Sequence, residues 1–308
     1  MVPDSGQAAD SGQAAGSGQR TADSRFVRAV LLLSAVCCLL SEPAIAAYSS
    51  RDLFIPIFGR GVGGDGRRYE TAFTLTNPSS KSVDVKLSFM LAGRPNPKAF
   101  TTSIHLAPKE TRRFDPVGAE LLGAPAAFGA IRIEAKTPML AHARLFSTLP
   151  GEPAARSVAS SFNAIPEQFS AGTGDSAILQ GLGGGTDFRY KIYVIETTGQ
   201  PLTFALSLLD GSGRAITTTH EYVSGHEQRS WDNVAAPGAA VVRVKGMNGN
   251  GRVIIAGAQI ATGSQDGTAY EMSFTTGPRW RLPAGEVAAY VAAGVALVAA
   301  IILGRRSS

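Results

Sequence analysis

Residues 83–89, Val-Asp-Val-Lys-Leu-Ser-Phe, alternate an apolar side chain with a polar one at every step. This alternation is typical of a β-strand with one buried face, because successive strand side chains point to opposite sides. The same alternation places apolar residues at Phe73 and Leu75, Ile104 and Leu106, and Ile131 and Ile133. Turn-forming residues separate these segments and no long helical pattern intervenes, so the sequence predicts an antiparallel β-sandwich.

The central part of the chain contains this pattern twice. A Gly-rich loop precedes an alternating strand in each copy, with residues 61–66 before 69–77 and residues 181–185 before 190–197. Further matches follow in the same order: 85–90 with 204–209, 113–115 with 230–232, 130–133 with 241–244, 139–141 with 254–256, and Ser161-Phe162 with Ser273-Phe274. Gly-containing turns at 92–94 and 210–214 suggest hairpins. The ordered matches predict an internal duplication.

Residues 50–278 therefore resemble the tandem immunoglobulin-like or fibronectin-like β-sandwich modules of bacterial cell-surface proteins. The resemblance rests on strand pattern, repeat length and flanking segments, and the Cys, Trp, Cys signature of true immunoglobulin domains is absent. It implies an all-β fold of two tandem antiparallel β-sandwiches and a role in adhesion, spacing or ligand display. A fold alone does not establish a function.

The N-terminal segment has the features of a secretory signal peptide. Arg25 and Arg28 precede an apolar core over residues 29–40, and Ala44 and Ala46 form an A-x-A cleavage site. We expect cleavage after Ala46, with an uncleaved anchor as the alternative, although the core is short for a membrane span. The residues before the core are a low-complexity leader with three near copies of Ser-Gly-Gln.

Both cysteines of the chain, Cys37 and Cys38, fall inside the apolar core of the signal peptide. Cleavage after Ala46 leaves a mature chain without a thiol or a disulfide, so packing must provide its stability. A lipoprotein with an acylated Cys37 or Cys38 is the alternative, although the preceding residues lack the expected small side chain.

The C-terminal segment has the pattern of a membrane anchor. An apolar run over residues 287–303 is followed at once by Gly304, Arg305 and Arg306. At about 1.5 Å per residue the run covers roughly 25 Å, slightly less than the hydrocarbon core of a bilayer. Arg305 and Arg306 are expected on the cytoplasmic side. The alternative is a sorting signal that is later processed, because Leu282-Pro283-Ala284-Gly285 precedes the run, although it lacks the threonine of LPxTG.

These features divide the chain into a series of predicted segments. They are a leader and signal peptide at 1–46, a first β-sandwich at 47–166, a second at 167–278, a linker at 279–286, a transmembrane helix at 287–304 and a cytoplasmic tail at 305–308. The bulk of the chain is therefore expected outside the cytoplasm, in the periplasm or at the cell surface.

Motifs that would indicate a cofactor or a metal are incomplete. Gly61, Gly63 and Gly66 fit the dinucleotide pattern G-x-G-x-x-G, but that site requires a helix after the loop, and here a strand is expected. His220-Glu221 and His226-Glu227 are too far apart for a metalloprotease motif and are expected to flank a hairpin. We predict no cofactor, no metal site and no catalytic residues.

Exposed aromatic residues are the remaining candidates for ligand binding. Trp231, Tyr190 and Tyr69 could stack on a sugar ring, while Phe114 and Trp231 also fit core anchors at strand ends. The serine-rich residues 157–161 lack a nucleophile motif and are expected in an edge strand.

The net charge of the chain is +5, without a basic helix or an aromatic-interleaved groove, so nucleic-acid binding is not expected. The sequence predicts a non-catalytic, membrane-anchored envelope protein that contacts lipid through its C-terminal helix. Its partner is predicted to be an envelope protein or a polysaccharide. The alternatives are a carbohydrate-binding surface module and a substrate of a C-terminal sorting enzyme that loses its anchor.

Overall fold

The computed structural model describes residues 49–123, 126–153, 156–181, 187–232, 234 and 239–274. These residues confirm the predicted all-β class, since they form antiparallel strands with very little helix. Among them, no helix has the length and apolar character needed to cross a membrane. The predicted signal peptide with Ala44 and Ala46, and the predicted C-terminal span with Arg305 and Arg306, lie outside the described residues.

The first half of the described chain forms an eight-stranded assembly with one short helix. Its elements are β1 Ser50–Val62, β2 Arg68–Thr76, β3 Val83–Leu91, β4 Phe100–Leu106, β5 Thr111–Phe114, α1 Ala119–Leu122, β6 Ala127–Thr148, β7 Val158–Asn163 and β8 Ile165–Pro166. One layer has the order β4-β3-β6-β1-β8, and the other has the order β5-β2-β6-β7. The long strand β6 belongs to both layers.

The second half follows a 3-10 helix, Glu167–Phe169, and contains two separate sheets. Its strands are β9 Ser176–Gln180, β10 Phe188–Glu196, β11 Leu202–Asp210, β12 Ala215–Val223, β13 Gln228–Asp232, β14 Ala239–Gly249, β15 Val253–Ala261, β16 Gly267–Glu271 and β17 Ser273–Phe274. The orders are β12-β11-β14-β9-β17 and β13-β10-β15-β16. Each strand therefore takes the place of one strand of the first half, with β6 matched by β14 and β15 together.

Strand register gives the residue equivalence between the halves. The predicted match of 85–90 with 204–209 is confirmed, because both segments pair in the same way with β6 and β14. The predicted match of Phe162 with Phe274 is wrong, because Phe162 lies in β7, the counterpart of β16, and Phe274 lies in β17, the counterpart of β8. Tyr69 corresponds to Phe188 rather than to Tyr190, because the Gly-rich loops differ in length.

Equivalent connections between strands carry the same polar contacts. Asn77 and Glu196 are fully buried after β2 and at the end of β10, and each donates its backbone N–H to a carbonyl 2.9 Å away, that of Glu110 or Glu227. The carboxylates of Glu110 and Glu227 in turn accept the backbone N–H three residues earlier, at 2.7 and 2.8 Å. The repeat therefore extends to side chains that the strand alternation does not reveal.

Three apolar clusters hold the described chain together. The first fills the first half and includes the alternating residues of β3, and the second fills the second half around Phe204. Leu121 and Leu122 of α1 also pack into the first cluster. The third cluster lies between the halves, with members Phe54, Ile57, Met90, Ala130, Phe162, Ile165, Tyr193, Ile195, Ile254, Ala256 and Ala258. The halves are thus packed against each other.

Candidate functional site

An open cleft of about 670 Å³ lies between the two halves and is called the interface cleft below. The first half contributes the loop after β1, with Gly63, Gly64 and Asp65, and parts of β6 and β7. The second half contributes side chains of β10 and β15. A volume of this size is typical of small-molecule sites in proteins.

The Gly-rich loop packs closely against Tyr69 in this cleft. Gly66 has a φ of +76°, a conformation that L side chains rarely adopt. A Cβ atom on Gly63 would lie 2.6 Å from the Tyr69 ring, so only glycine permits this contact. The strand β2 follows the loop, and no helix N-terminus is available for a pyrophosphate. Gly63 therefore allows a close backbone approach to Tyr69, and Gly66 allows the left-handed turn of the loop.

Tyr69 donates a hydrogen bond from its hydroxyl to Oδ2 of Asp65, 2.9 Å away. Partial burial of the ring raises the pKa of Tyr69, and the Asp65 carboxylate raises it further, while the positive charge of Arg189 from the other half lowers it. The phenol therefore stays protonated at neutral pH and keeps its donor. The predicted aromatic candidate Tyr69 lies in the cleft.

The cleft also contains three cationic side chains. Arg67 is 8% exposed and bonds through Nε to the Ser147 hydroxyl at 2.9 Å. Arg189 donates from Nη2 to Gln265 at 2.7 Å. Lys191 forms an ion pair with Asp232 at 3.0 Å. The lining thus carries three positive and two negative groups, Asp65 being the second carboxylate.

The other two aromatic candidates lie away from the cleft lining. Tyr190 is 2% exposed in the second core, and its ring stacks on Tyr270 with centroids 5.9 Å apart, so a ligand cannot reach its faces. Trp231 is partly buried against the second core, edge-on to Phe204 at 6.0 Å. Arg229 covers one side of the indole, 5.1 Å from the ring centroid. Trp231 therefore has a core-anchoring role.

The histidines do not form a cluster. His220 lies on the exposed strand β12 and His226 in the turn before β13. The expected hairpin between them is wrong, because β12 pairs with β11 and β13 pairs with β10 in the other sheet. His226 also lines a second, smaller pocket of about 220 Å³ between the halves, with Lys98 and Arg132. Within the part of the chain that the structure describes, no group of three or more His, Cys, Asp or Glu side chains could hold a metal ion.

Sequence reasoning missed most of the cleft. Arg67, Arg189 and Gln265 carry no motif, and they meet only because the halves pack together. One signal was present in continuous apolar runs such as Leu53-Phe54-Ile55 and Ile254-Ile255-Ala256, since a strand buried on both faces loses its alternation. These runs supply the third apolar cluster, which positions the cleft walls.

Comparisons with known proteins give little further information. No family model matches the sequence, and no curated protein matches it. The crystal structure of Thermotoga maritima 1070 is similar over 38% of this chain and 95% of that chain, with 12% identity and a TM-score of 0.29. A likeness this weak carries no argument about fold or function.

Proposed function

We propose that this chain is a non-catalytic, membrane-anchored interaction protein of the cell envelope, and that the interface cleft is its binding site. The cleft carries the proposal, because it combines apolar walls with a few fixed polar groups, as ligand sites do. The two halves are proposed to be immunoglobulin-like sandwich modules. The partner is an envelope protein or a polysaccharide.

The location outside the cytoplasm is part of the same proposal. It rests on the sequence patterns at the two ends, the A-x-A site at Ala46 and the apolar run closed by Arg305 and Arg306. A reporter fused after Ser308 should be active only in the cytoplasm, and the mature chain should require detergent for extraction. Activity of that reporter outside the cytoplasm, or a freely soluble mature chain, would contradict the anchor. Release of a shorter form would favour the sorting-signal alternative.

Site-specific photocross-linking in the cells of origin tests the binding role. Leu149 lines the cleft and is 41% exposed, whereas Ile216 on β12 is 40% exposed and outside the cleft lining. A photoreactive residue at position 149 should give a discrete cross-linked product, and the same residue at position 216 should not. Equal products at both positions, or none at position 149, would reject the cleft as the binding site.

Carbohydrate binding is the second candidate, and Tyr69 in the cleft favours it. An aromatic ring beside hydroxyl and amide groups is suited to a pyranose, which has both apolar and polar faces. On this proposal, a Tyr69→Ala variant should lose its signal on a glycan array, and a Lys81→Ala variant, altered at an exposed loop residue, should keep it.

A further inference from the structure

Arg67 is a buried cation whose side chain bonds to neutral acceptors. Its Nε and Nη2 atoms donate to the hydroxyl and the carbonyl of Ser147, at 2.9 and 3.2 Å. These acceptors are neutral, and no carboxylate forms an ion pair with Arg67 among the described residues. The nearby Asp65 carboxylate is occupied by the Tyr69 hydroxyl and by the backbone N–H of Arg67. Arg67 therefore makes no ion pair of its own, although Asp65 lies two residues away in the same loop.

Arg189 is a second cation of the same cleft; it is half-buried and forms no ion pair among the described residues. Its Nη2 atom bonds to the neutral amide oxygen of Gln265, and its Nε atom is buried without a hydrogen-bond partner among the described residues. Lys191, two residues along β10, does have an acid partner in Asp232. Two arginines that face one cleft are thus left without an acid, while the lysine beside them is paired.

Buried charge without a partner is unfavourable, because the surrounding protein replaces water poorly. An anion in the cleft would restore the balance. The planar guanidinium group of arginine donates in a fixed fork that matches the two oxygens of a carboxylate. An anionic group in the cleft would therefore be attracted by Arg67 and Arg189, which both line it.

The rest of the lining indicates what carries that group. The Tyr69 ring offers an apolar face, while the Ser160 hydroxyl and the Gln265 amide can bond to hydroxyl groups. We infer that the interface cleft binds an acidic saccharide, with a uronate carboxylate on Arg67 and Arg189 and a sugar ring against Tyr69. This inference rests on the proposed binding role of the cleft and names its ligand class.

Isothermal titration calorimetry of the full-length chain in detergent tests the inference. The acidic probe is a galacturonic acid hexamer, and the neutral control is maltohexaose, which has the same number of sugar rings. The acidic hexamer should bind and maltohexaose should not. An Arg189→Gln variant should weaken binding roughly tenfold or more, the loss expected for a charge-assisted hydrogen bond. Added salt should weaken binding as well.

Arg214→Gln is the matched control, because the Arg214 side chain is 84% exposed in the turn between β11 and β12 and lies outside the cleft lining. It should bind like the parent chain. Absence of hexamer binding, equal binding of maltohexaose, or no effect of Arg189→Gln would overturn the inference. If position 149 still gives a cross-linked product in these cases, the acidic saccharide is wrong and the binding role stands.

Discussion

The two halves of this molecule share one strand order but differ in how their layers are joined. In the first half, β6 passes through Pro138 from one layer into the other without a break. In the second half, the same path is divided into β14 and β15 by a turn over residues 250–252. Glu196 is fully buried beside this turn, and its equivalent in the first half is Asn77. The two halves therefore have the same strand pairing and differ in how the chain crosses from one layer to the other.

A second difference concerns which faces the halves cover. In the first half, Ile104 of β4 is 8% exposed and packs in the same cluster as Leu121 of α1. The equivalent position of the second half is Glu221 on β12, a strand whose first six residues are exposed. The outer sheet of the second half is therefore more open, while the other sheet is buried against the first half.

The largest expected effect comes from the apolar cluster between the halves. Phe54 belongs to this cluster and Phe58 to the first core, and both are 0% exposed. Truncation of either residue to Ala should reduce the free energy of unfolding by about 3–5 kcal/mol. Only Phe54→Ala should split calorimetric unfolding into two transitions, because it weakens the contact between the halves. Splitting in Phe58→Ala alone would reverse this assignment.

Glu196 and Asn77 provide a test at equivalent positions. The Glu196 carboxylate accepts bonds from the backbone N–H groups of residues 198, 199, 226 and 252 at 2.7–3.2 Å. Glu196→Ala should cost roughly 3–4 kcal/mol, because buried donors lose their acceptor. Asn77→Ala should cost less, about 2 kcal/mol, since its amide serves fewer backbone groups. Denaturant unfolding measures both losses of stability. An equal loss in the two variants, or a larger loss in Asn77→Ala, would contradict this account.

A third pair compares arginines at equivalent places on β6 and β14. Arg132 bonds through Nε to Asp52 at 2.9 Å, which raises the pKa of the guanidinium. Arg243 has a buried Nε without a partner among the described residues. Asp52→Asn should lower the free energy of unfolding by about 1–2 kcal/mol, while Arg243→Gln should change it by less than about 0.5 kcal/mol. A larger loss from Arg243→Gln would show that its charge is compensated.

The smallest effect is expected at the hairpin turns. Bonds from the Ser212 hydroxyl and the Arg214 backbone lower the pKa of Asp210 to about 2. The stabilisation that the ionised Asp210 carboxylate provides is therefore complete above its unfolded pKa of about 4 and is lost as the pH falls through about 2. In the corresponding turn of the first half, the side-chain amide of Asn96 forms hydrogen bonds with the backbone of Leu91. An amide does not titrate, so this turn has no such pH dependence. NMR titration should show a midpoint near 2 for Asp210, and a midpoint near 4 would contradict the turn geometry.

The sequence predicted the elements whose signal is local. Alternation placed Val85, Leu87 and Phe89 in a core, and all three are at most 2% exposed. It failed where packing between the halves decides the outcome. Tyr190 looks like an exposed aromatic but is buried by strand register, and Arg67 and Arg189 lie far apart in sequence on different halves. Such a site depends on long-range packing, which a single sequence does not display.

Differential scanning calorimetry of the unmodified chain in detergent tests the central claim most directly, namely that two copies of one sandwich are joined by a third apolar cluster into one unit. One transition should be seen over the β region, with calorimetric and van't Hoff enthalpies equal. Two separate transitions, each with its own enthalpy, would show that the halves unfold independently and would contradict the account.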